Sequence, residues 1–584
     1  MKSFAAKRSR LGAYPLAWIA AGLAVASRVL TPGSLAQEIQ TNSPAYHLGL
    51  AVKALYSILE PPTNQISRTF STTLKVIKAD SLPAELAGQE VELAFQAPDH
   101  LRIRTAWEQQ DLVLCRDGQE IWVYAPGRKF GVAGSSDNAT ASPLGPLSFP
   151  ITGAQLALLP LFTDVKALPG EAEGGVPCRV LEVTAKPEAV EAIKLPRGTL
   201  QLWLRETDSL PVKFAYRDGP GNELQIALVN PQVQPAWAEE RWKLKPGPAD
   251  RIVTPFNYFD NYEPSAPLKI AMDEVTEASK GENERGYKVT RFTFDGFHGE
   301  TVPALISLPT PIPAGRLPAI IFLHGIGQNK NFLKEITAPF NRAGFAFVSF
   351  DQYTQGERKL GEKKSLLAQL EAFIDRPAKT VNETRRLIDY LQSRGDIDPK
   401  RTYLVGASYG AVMGSTVLAK DKRVRAGVMV YGGGDLNKLV DSEANRLGLA
   451  AALGLIDGRN LNPEKPPLPK LTPSQERQVG MIIGLVKILA SRLLGVIDPI
   501  RYAGQISPTP VYFQNGTHDV LVPAAAGKAL QDAAREPKKI TWYESDHVGI
   551  DRQQTMQVLE DGLRWLIEQD APFRAPTNSS SNLK

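Results

Sequence analysis

The sequence predicts two architectures in one chain: a mainly antiparallel β domain and, after it, a three-layer α/β domain with a mostly parallel sheet. Residues 45–235 carry alternating or β-rich runs separated by turn pairs such as Asp117-Gly118, as antiparallel hairpins require. From about residue 287, short and nearly all-apolar runs alternate with helical stretches, which is typical of strands buried on both faces of a parallel sheet. The length of 584 residues also exceeds what one hydrophobic core supports.

Residues 1–36 have the composition of a secretion signal. A basic stretch from Lys2 to Arg10 precedes an apolar run at 11–26, and a small-x-small pattern predicts cleavage after Ala36. The alternative is an uncleaved membrane anchor, but 16 positions are few for spanning about 30 Å of hydrocarbon. We therefore expect a periplasmic or secreted protein.

The overall charge argues against a polyanionic partner. The formal net charge is +5, but five of the 67 basic residues lie in the first 36 positions, which contain no acid. Without that segment the chain has 62 basic and 62 acidic residues. We therefore expect no nucleic-acid partner.

The candidate metal or redox groups of the chain are two cysteines, Cys115 and Cys178, and six histidines. In an oxidising compartment the cysteines either form a disulfide that stabilises by about 3–4 kcal/mol or stay as two buried thiols, and the sequence leaves both readings open. The histidines show no metal-ligand spacing, so we expect no metal and no other cofactor.

Within residues 45–235 we predict a helix at 47–59, nine strands, and a second helix at 154–162 that packs on the sheet. The predicted strands are 68–76, 91–95, 101–107, 112–115, 120–124, 178–183, 200–204, 212–216 and 224–229.

This half of the chain resembles the LolA-like lipoprotein-carrier domains. The likeness lies in Pro-Asp-His-Leu-Arg at 98–102, Glu-Ile-Trp-Val-Tyr at 120–124 and the stretch 202–213, which contains Trp203. The resemblance implies a half-barrel, an incompletely closed β-barrel with an apolar concavity that can hold acyl chains. Lipid or membrane contact through this domain is the resulting hypothesis, and the alternative is that the aromatic residues only fill a sheet core.

A proline-rich and charged stretch at 236–285 is predicted to be a linker and entry segment. An opening hairpin at 289–294 and 302–308 then begins an α/β domain over 286–570, followed by a disordered tail at 571–584. The predicted buried strands are 319–323, 345–350, 402–405, 426–431, 511–514 and 540–543, with helices at 381–391 and at the end of the domain.

A candidate nucleophile, Ser408, follows one of these strands in Gly-Ala-Ser-Tyr-Gly at 406–410 and begins a helix. A sharp strand-to-helix turn strains the serine backbone, glycines on either side relieve crowding, and the hydroxyl points out of the sheet edge. The pentapeptide alone is weak evidence, and its position between a buried strand and a helix strengthens it.

Activating a serine requires a base and an acid further along the chain. His547 follows the last strand and precedes the terminal helix, where a loop can bring an imidazole over the serine. Asp519 follows the strand at 511–514 and is the preferred acid; Asp435 is the second choice, and Asp546 is adjacent to the histidine and unfavourably placed.

Acyl transfer also needs donors for the developing oxyanion. The loop after the strand at 319–323, with His324-Gly325-Ile326, lies where it can reach the serine turn. We predict the backbone N–H groups of Ile326 and Tyr409 as the pair, with His324 bracing the loop.

Residues 285–570 as a whole resemble the α/β hydrolases, and within that superfamily the dienelactone-hydrolase-like and acetyl-xylan-esterase-like members. The resemblance implies the α/β-hydrolase fold and structural roles for Asp351 and Arg358. One departure is that dienelactone hydrolases proper use a cysteine nucleophile, whereas this chain has Ser408. The shared features are His324-Gly325, the stretch from Asp351 through Gly356-Glu357-Arg358, the serine turn, the Gly516 to Asp519 turn and His547.

An insertion at 436–498 is predicted to form a helical cap, with amphipathic helices near 443–455 and 475–494. Its apolar residues would favour an acyl or alkyl group, although simple packing decoration is an alternative.

These features predict a serine esterase that forms an acyl-enzyme on a small-molecule ester substrate. Two alternatives stay open. One is a peptidase of the prolyl-oligopeptidase type, against which the absence of a propeller-like repeat argues. The other is a lipid-binding carrier whose hydrolase half is inactive.

Overall fold

A computed structural model gives the arrangement of most of the chain. The described residues are 42–59, 67–80, 87–107, 109–118, 120–135, 162–187, 190, 198–219, 222–254, 258–259, 262–279, 286–313, 315–361, 366–440, 442, 444–447, 470–472, 479–480, 483, 495–547 and 552–574. The predicted signal segment and all but the last residue of the predicted helix at 154–162 lie outside them.

The amino-terminal half is mostly β-structure, as predicted. Its elements are α1 Pro44–Leu59, β1 Arg68–Ala79, β2 Glu90–Gln96, β3 His100–Trp107, β4 Gln110–Asp117, β5 Glu120–Ala125, β6 Phe130–Ser135, β7 Thr163–Glu173, β8 Val176–Ala185, β9 Thr199–Arg205, β10 Pro211–Gly219, β11 Asn222–Pro235 and β12 Arg251–Val253.

The chain divides into two compact units, one formed by residues 1–57 and 153–219 and the other by 58–152 and 220–584. In the first unit the strands follow the order β10-β9-β8-β7 and pair antiparallel. Alternate residues of β8, β9 and β10 face one small core that contains Cys178, Val180 and Trp203.

In the second unit the amino-terminal strands follow the order β12-β6-β5-β4-β3-β2-β1-β11. Neighbours pair antiparallel except β12 and β6, which are parallel. The mainly antiparallel architecture is therefore confirmed, whereas the LolA-like half-barrel stays a prediction. Cys115 and Cys178 are both buried free thiols, and each S–H faces a backbone carbonyl oxygen of its own unit, that of Trp242 at 2.6 Å and of Val176 at 3.1 Å, respectively.

Strands β6 and β7 were not predicted from the sequence. The first contains two glycines and the second contains Pro169 and Gly170, residue types that strands normally avoid. Antiparallel pairing with the neighbouring strands β5 and β8 compensates for this weak intrinsic preference.

The stretch 236–285 differs from the expected linker. It contains β12 and a further strand, β13 Ala271–Ser279, and its Tyr258 and Phe259 are buried in the same core cluster as the second sheet. Arg251 of β12 forms an ion pair with Asp375. The high proline content predicted a linker, but the prolines lie between these short packed segments and not within them.

The carboxy-terminal part has the predicted three layers. Its elements after β13 are β14 Gly286–Asp295, β15 Thr301–Thr310, β16 Leu317–Leu323, α2 Leu333–Arg342, β17 Ala346–Phe350, α3 Leu366–Ser393, β18 Ile397–Ala407, α4 Tyr409–Lys420, β19 Val424–Val430, α5 Leu436–Val440, α6 Ile500–Ala503, β20 Val511–Gly516, α7 Ala524–Ala533, β21 Lys538–Tyr543 and α8 Arg552–Asp570.

The sheet order is β13-β14-β15-β17-β16-β18-β19-β20-β21. The strands from β17 to β21 pair parallel, and β13 to β15 form an antiparallel edge whose hairpin was predicted. Side chains alternate between the faces, so that Ile321 packs on the side of α3, α4 and α7 while Ile320 packs on the side of α2 and α8.

The cap helices lie mostly outside the described residues; within the described part, Val479 and Ile483 are buried together. The predicted tail begins too early, because Ala571–Phe573 form a 3-10 turn and Arg574 donates to Asp570 at 2.8 Å. No helix in the described ranges combines the length and the apolar character that a membrane span requires.

Candidate active site

Ser408 lies at a sharp turn between β18 and α4, as the sequence predicts. Its backbone has φ 54° and ψ −121°, a conformation that costs on the order of 1–3 kcal/mol for a residue with a Cβ atom. A Cβ atom at Gly410 would overlap the carbonyl oxygen of Leu323, and one at Gly406 would overlap that of Gly410. The two glycines therefore let the turn pack against β16.

The strained turn is held from both sides. The Ser408 N–H donates to the Val430 carbonyl at 2.8 Å, and the Ser408 carbonyl accepts from the N–H groups of Ala411 and Val412 at 2.9 and 3.1 Å. These bonds fix the start of α4 and leave the side chain at the cavity described below.

The structure brings His547 and Asp519 together. The imidazole Nδ1 lies 2.7 Å from the Asp519 Oδ2 atom, and the exposed fractions of the two side chains are 6% and 0%. The other carboxylate oxygen accepts from the N–H groups of Leu521 and Val522, both at 2.8 Å. Asp519 is thus held in one orientation, and its hydrogen bond selects the tautomer with a proton on Nδ1 and leaves Nε2 as the basic nitrogen.

The two other candidate acids have different partners. Asp435 forms an ion pair with Lys438. Asp546 accepts from the backbone N–H groups of His547 at 2.7 Å and Val520 at 3.2 Å, which ties the two loops together. The hydrogen bonding therefore favours Asp519 over both, in agreement with the order of preference from the sequence.

The predicted oxyanion loop follows β16. The Gln328 N–H donates to the Gly325 carbonyl at 3.4 Å and so forms a turn that contains Ile326. Gly327 donates to the Gln355 side chain at 3.1 Å, and Gln328 accepts from Gly325 N–H at 3.1 Å.

These contacts fix the backbone around Ile326. Tyr409 is the first residue of α4, where backbone N–H groups lack partners within the helix.

His324, Asp351 and Arg358 support the loop from below. His324 is fully buried, burial lowers the pKa of its imidazole, and its Nδ1 lies 3.0 Å from the Gly325 carbonyl. Asp351 accepts from the backbone N–H and the ammonium of Lys330, both at 2.9 Å. Arg358 pairs with Glu383. All three residues have structural partners, as expected.

Ser408 and His547 line one cavity of about 960 Å³, together with Ile326 and Tyr409 of the predicted oxyanion pair. Most of its wall is apolar, including Phe322, Phe332, Val412, Met413, Leu436 and Leu559. Sequence reasoning missed two residues here. Gln355, which orients the loop, lies in the stretch from Asp351 to Arg358 that carries the family resemblance, but it was not singled out there. Arg376, which lines the cavity, lies outside the helix predicted at 381–391.

Only one cluster in the described residues resembles a metal site. His100 Nε2 lies 3.3 Å from Asp117 and 3.5 Å from Glu239, within the amino-terminal sheet of the second unit. These residues are far apart in sequence, so their spacing did not predict a metal site. None of them lines the cavity of Ser408.

Comparison with known proteins gives a family match for the carboxy-terminal part. Residues 320–557 match the model of the alpha/beta hydrolase family. A curated relative from Bradyrhizobium sp., described as "Probable 2-oxo-3-(5-oxofuran-2-ylidene)propanoate lactonase", is 25% identical over 164 residues, which are 28% of this chain and 57% of that protein. The chain therefore spans just over half the length of that relative.

Solved structures similar to this chain include two acetyl xylan esterases. The enzyme from Paenibacillus sp. R4 is 17% identical with a TM-score of 0.37, covering 54% of this chain and 91% of that chain. The enzyme from Thermoanaerobacterium sp. JW/SL YS485 is 20% identical with a TM-score of 0.36, covering 54% and 92%. The sheet order and the family match together show that the described residues of 320–557 have the α/β-hydrolase fold.

Proposed function

We propose that the protein is a serine esterase in which Ser408, His547 and Asp519 form the catalytic triad. The observation that carries this proposal is the buried His547–Asp519 pair at 2.7 Å beside the strained serine turn, with serine and histidine on one cavity. Such a pair, next to an activated hydroxyl, is the arrangement that acyl transfer requires.

In this mechanism the Ser408 hydroxyl attacks the ester carbonyl carbon while His547 Nε2 takes its proton. Asp519 stabilises the imidazolium that forms. The backbone N–H groups of Ile326 and Tyr409 would donate to the oxyanion, and loss of one such donor typically costs about 10²–10³ in rate. His547 then protonates the leaving alcohol, and water releases the acid from the acyl-enzyme by the reverse sequence of proton transfers.

The wall of the cavity supports an ester substrate with an apolar part. Side chains such as Val412, Met413 and Leu559 offer no hydrogen bonds, so they favour burial of hydrocarbon. The lactonase that this chain resembles acts, by its name, on a cyclic ester, and a lactone therefore belongs in the substrate screen. Export remains a further proposal, based on residues 1–36.

A fluorophosphonate probe tests the proposal. We expect one covalent adduct, on Ser408, by mass spectrometry of the wild type, and none in Ser408→Ala. With p-nitrophenyl esters of graded chain length, Ser408→Ala should lower kcat by about 10⁶. Ser415→Ala is a matched control, because Ser415 lies on the same helix with its hydroxyl donating to the Ala411 carbonyl at 2.9 Å.

Two results would contradict the proposal. Cleavage of peptide anilides without ester hydrolysis would favour the peptidase alternative. Absence of labelling, with lipid co-purifying with the protein, would favour the carrier alternative.

A further inference from the structure

Arg376 is a cation in the wall of the catalytic cavity. It lies on α3, and among the described residues that line the cavity it is the only lysine or arginine. The only acid in that lining is Glu335, whose side chain is exposed. The wall of the cavity beside Ser408 and His547 is therefore mostly apolar but contains one positively charged side chain.

The guanidinium of Arg376 has little internal compensation. Its Nε is shielded from solvent and has no hydrogen-bond partner, and Nη2 donates to the Thr354 hydroxyl. The guanidinium carbon lies 5.6 Å from the centre of the Tyr409 ring. In the part of the chain that the structure describes, no carboxylate lies within salt-bridge distance of it.

Arg358 is another arginine of the same domain, and its side chain is only 8% exposed. It shows how the charge of a buried arginine is usually neutralised. Its two terminal nitrogens lie 2.7 and 2.8 Å from the two oxygens of the Glu383 carboxylate. Arg376 is only partly buried, and a charge that is partly withdrawn from water without such a partner loses hydration and gains no counter-charge. Consistent with this, burial lowers the pKa of the Arg376 guanidinium, which nevertheless stays protonated at neutral pH. An uncompensated charge on a ligand cavity is a sign that the ligand supplies the partner.

We propose that Arg376 binds a carboxylate on the substrate, so that the preferred substrate is an ester carrying a second, ionised carboxyl group. This inference rests on the proposed esterase function. A guanidinium presents a planar fork of N–H donors that matches a carboxylate, and in the described structure only Nη2 of Arg376 has a hydrogen-bond partner. The apolar wall would hold the hydrocarbon between the ester and the carboxylate.

Two pairs of esters test this inference. Monoethyl glutarate against ethyl pentanoate places the charge on the acyl side, and butyryloxyacetate against propyl butyrate places it on the alcohol side. We expect the wild type to favour the anionic member of one pair in kcat/KM, measured by pH-stat titration. Arg376→Met should lower that anionic-to-neutral ratio by about 10², the value of a hydrogen-bonded charge pair, and Arg376→Lys should restore part of it.

Arg564→Met is the matched control, because it removes the same charge from a side chain that is 73% exposed on α8. An unchanged ratio in this control supports direct binding, and a ratio that falls as in Arg376→Met would point to general charge steering and overturn the inference. A wild type that favours the neutral member of both pairs would also overturn it. Fluorophosphonate labelling of Ser408 in the same preparations separates this failure from failure of the esterase proposal.

Discussion

Two concave regions of the second unit handle positive charge in opposite ways. The cavity lined by Ser408 and His547 has Arg376 in its mostly apolar wall, without an ionic partner in the described structure. A groove of about 690 Å³ on the amino-terminal sheet has a polar wall that includes four positively charged side chains, among them Arg104 and Arg241. Arg104 lies 2.8 Å from Asp111, and Arg241 lies 3.8 Å from the centre of the Trp237 ring.

This comparison indicates where in the molecule a change of side-chain charge is expected to have a large effect. In the groove, solvent and neighbouring side chains already stabilise each cation, so a change there alters little. In the cavity, low polarity strengthens each electrostatic interaction, so we expect a change of one charge there to have a large effect. The polar wall of the groove also gives no support to the hypothesis of an acyl-binding concavity at this place.

The largest effect expected from a buried charge comes from Asp519. We expect Asp519→Asn to lower kcat by about 10⁴ on p-nitrophenyl esters, because an amide at this position favours the wrong imidazole tautomer. Asp435→Asn is the matched control, since Asp435 pairs with Lys438, and it should change kcat by less than about tenfold. If the two variants exchange these effects, the acid has been assigned to the wrong loop.

The second effect concerns stability. Arg358→Met leaves the fully buried Glu383 unpaired and should lower the free energy of unfolding by about 3–5 kcal/mol. Burial already raises the pKa of Glu383, so protonation at acidic pH removes the unpaired charge, and the loss should shrink as the pH falls. Arg376→Met should leave the unfolding free energy unchanged or raise it.

Urea denaturation at two pH values measures both variants. An equal loss in Arg358→Met and Arg376→Met would mean that Arg376 has a structural counter-charge after all, and the contrast between the two arginines would fail. The double variant Arg358→Met with Glu383→Gln is the control, and it should recover part of the loss because it removes the unpaired carboxylate.

The smallest effect is expected in the groove. Arg241→Ala should change kcat/KM for each ester by no more than about twofold, as is usual for solvated surface positions. The steady-state assay used for Arg376 applies unchanged. A shift in the anionic-to-neutral ratio as large as that of Arg376→Met would mean that the groove takes part in substrate selection.

The catalytic candidates were accessible from the sequence because each depends on a local pattern. Ser408 lies in a glycine-flanked turn after an apolar strand, and His547 follows the last strand of the alternation. Their neighbours in space were harder to foresee. Arg376 precedes Pro377, and proline usually ends a helix, so only 381–391 was predicted to be helical. The helix continues from Leu366 to Ser393 because residues such as Ile374 and Ala378 pack in the core.

The strands that were missed depend on pairing with other strands, which for β12 is distant in sequence and for β13 is the next strand of the chain. The three-residue strand β12 pairs with β6, so that Arg251 lies opposite Phe130. The outer strand β13 pairs with β14, so that Ala271 lies opposite Thr293. Short segments of this kind acquire their structure from partners and not from their own composition.

The burial of Tyr258 and Phe259 in the core shared with the parallel sheet affects where a recombinant fragment of this protein can begin. A recombinant fragment that starts at the predicted boundary, residue 286, would lack both aromatic rings and the outermost strand of the sheet. It would expose apolar surface that the intact chain covers, and an unpaired strand edge beside it. The smallest soluble fragment that contains the candidate active site therefore has to begin upstream of Tyr258, inside the stretch that was predicted to be a linker.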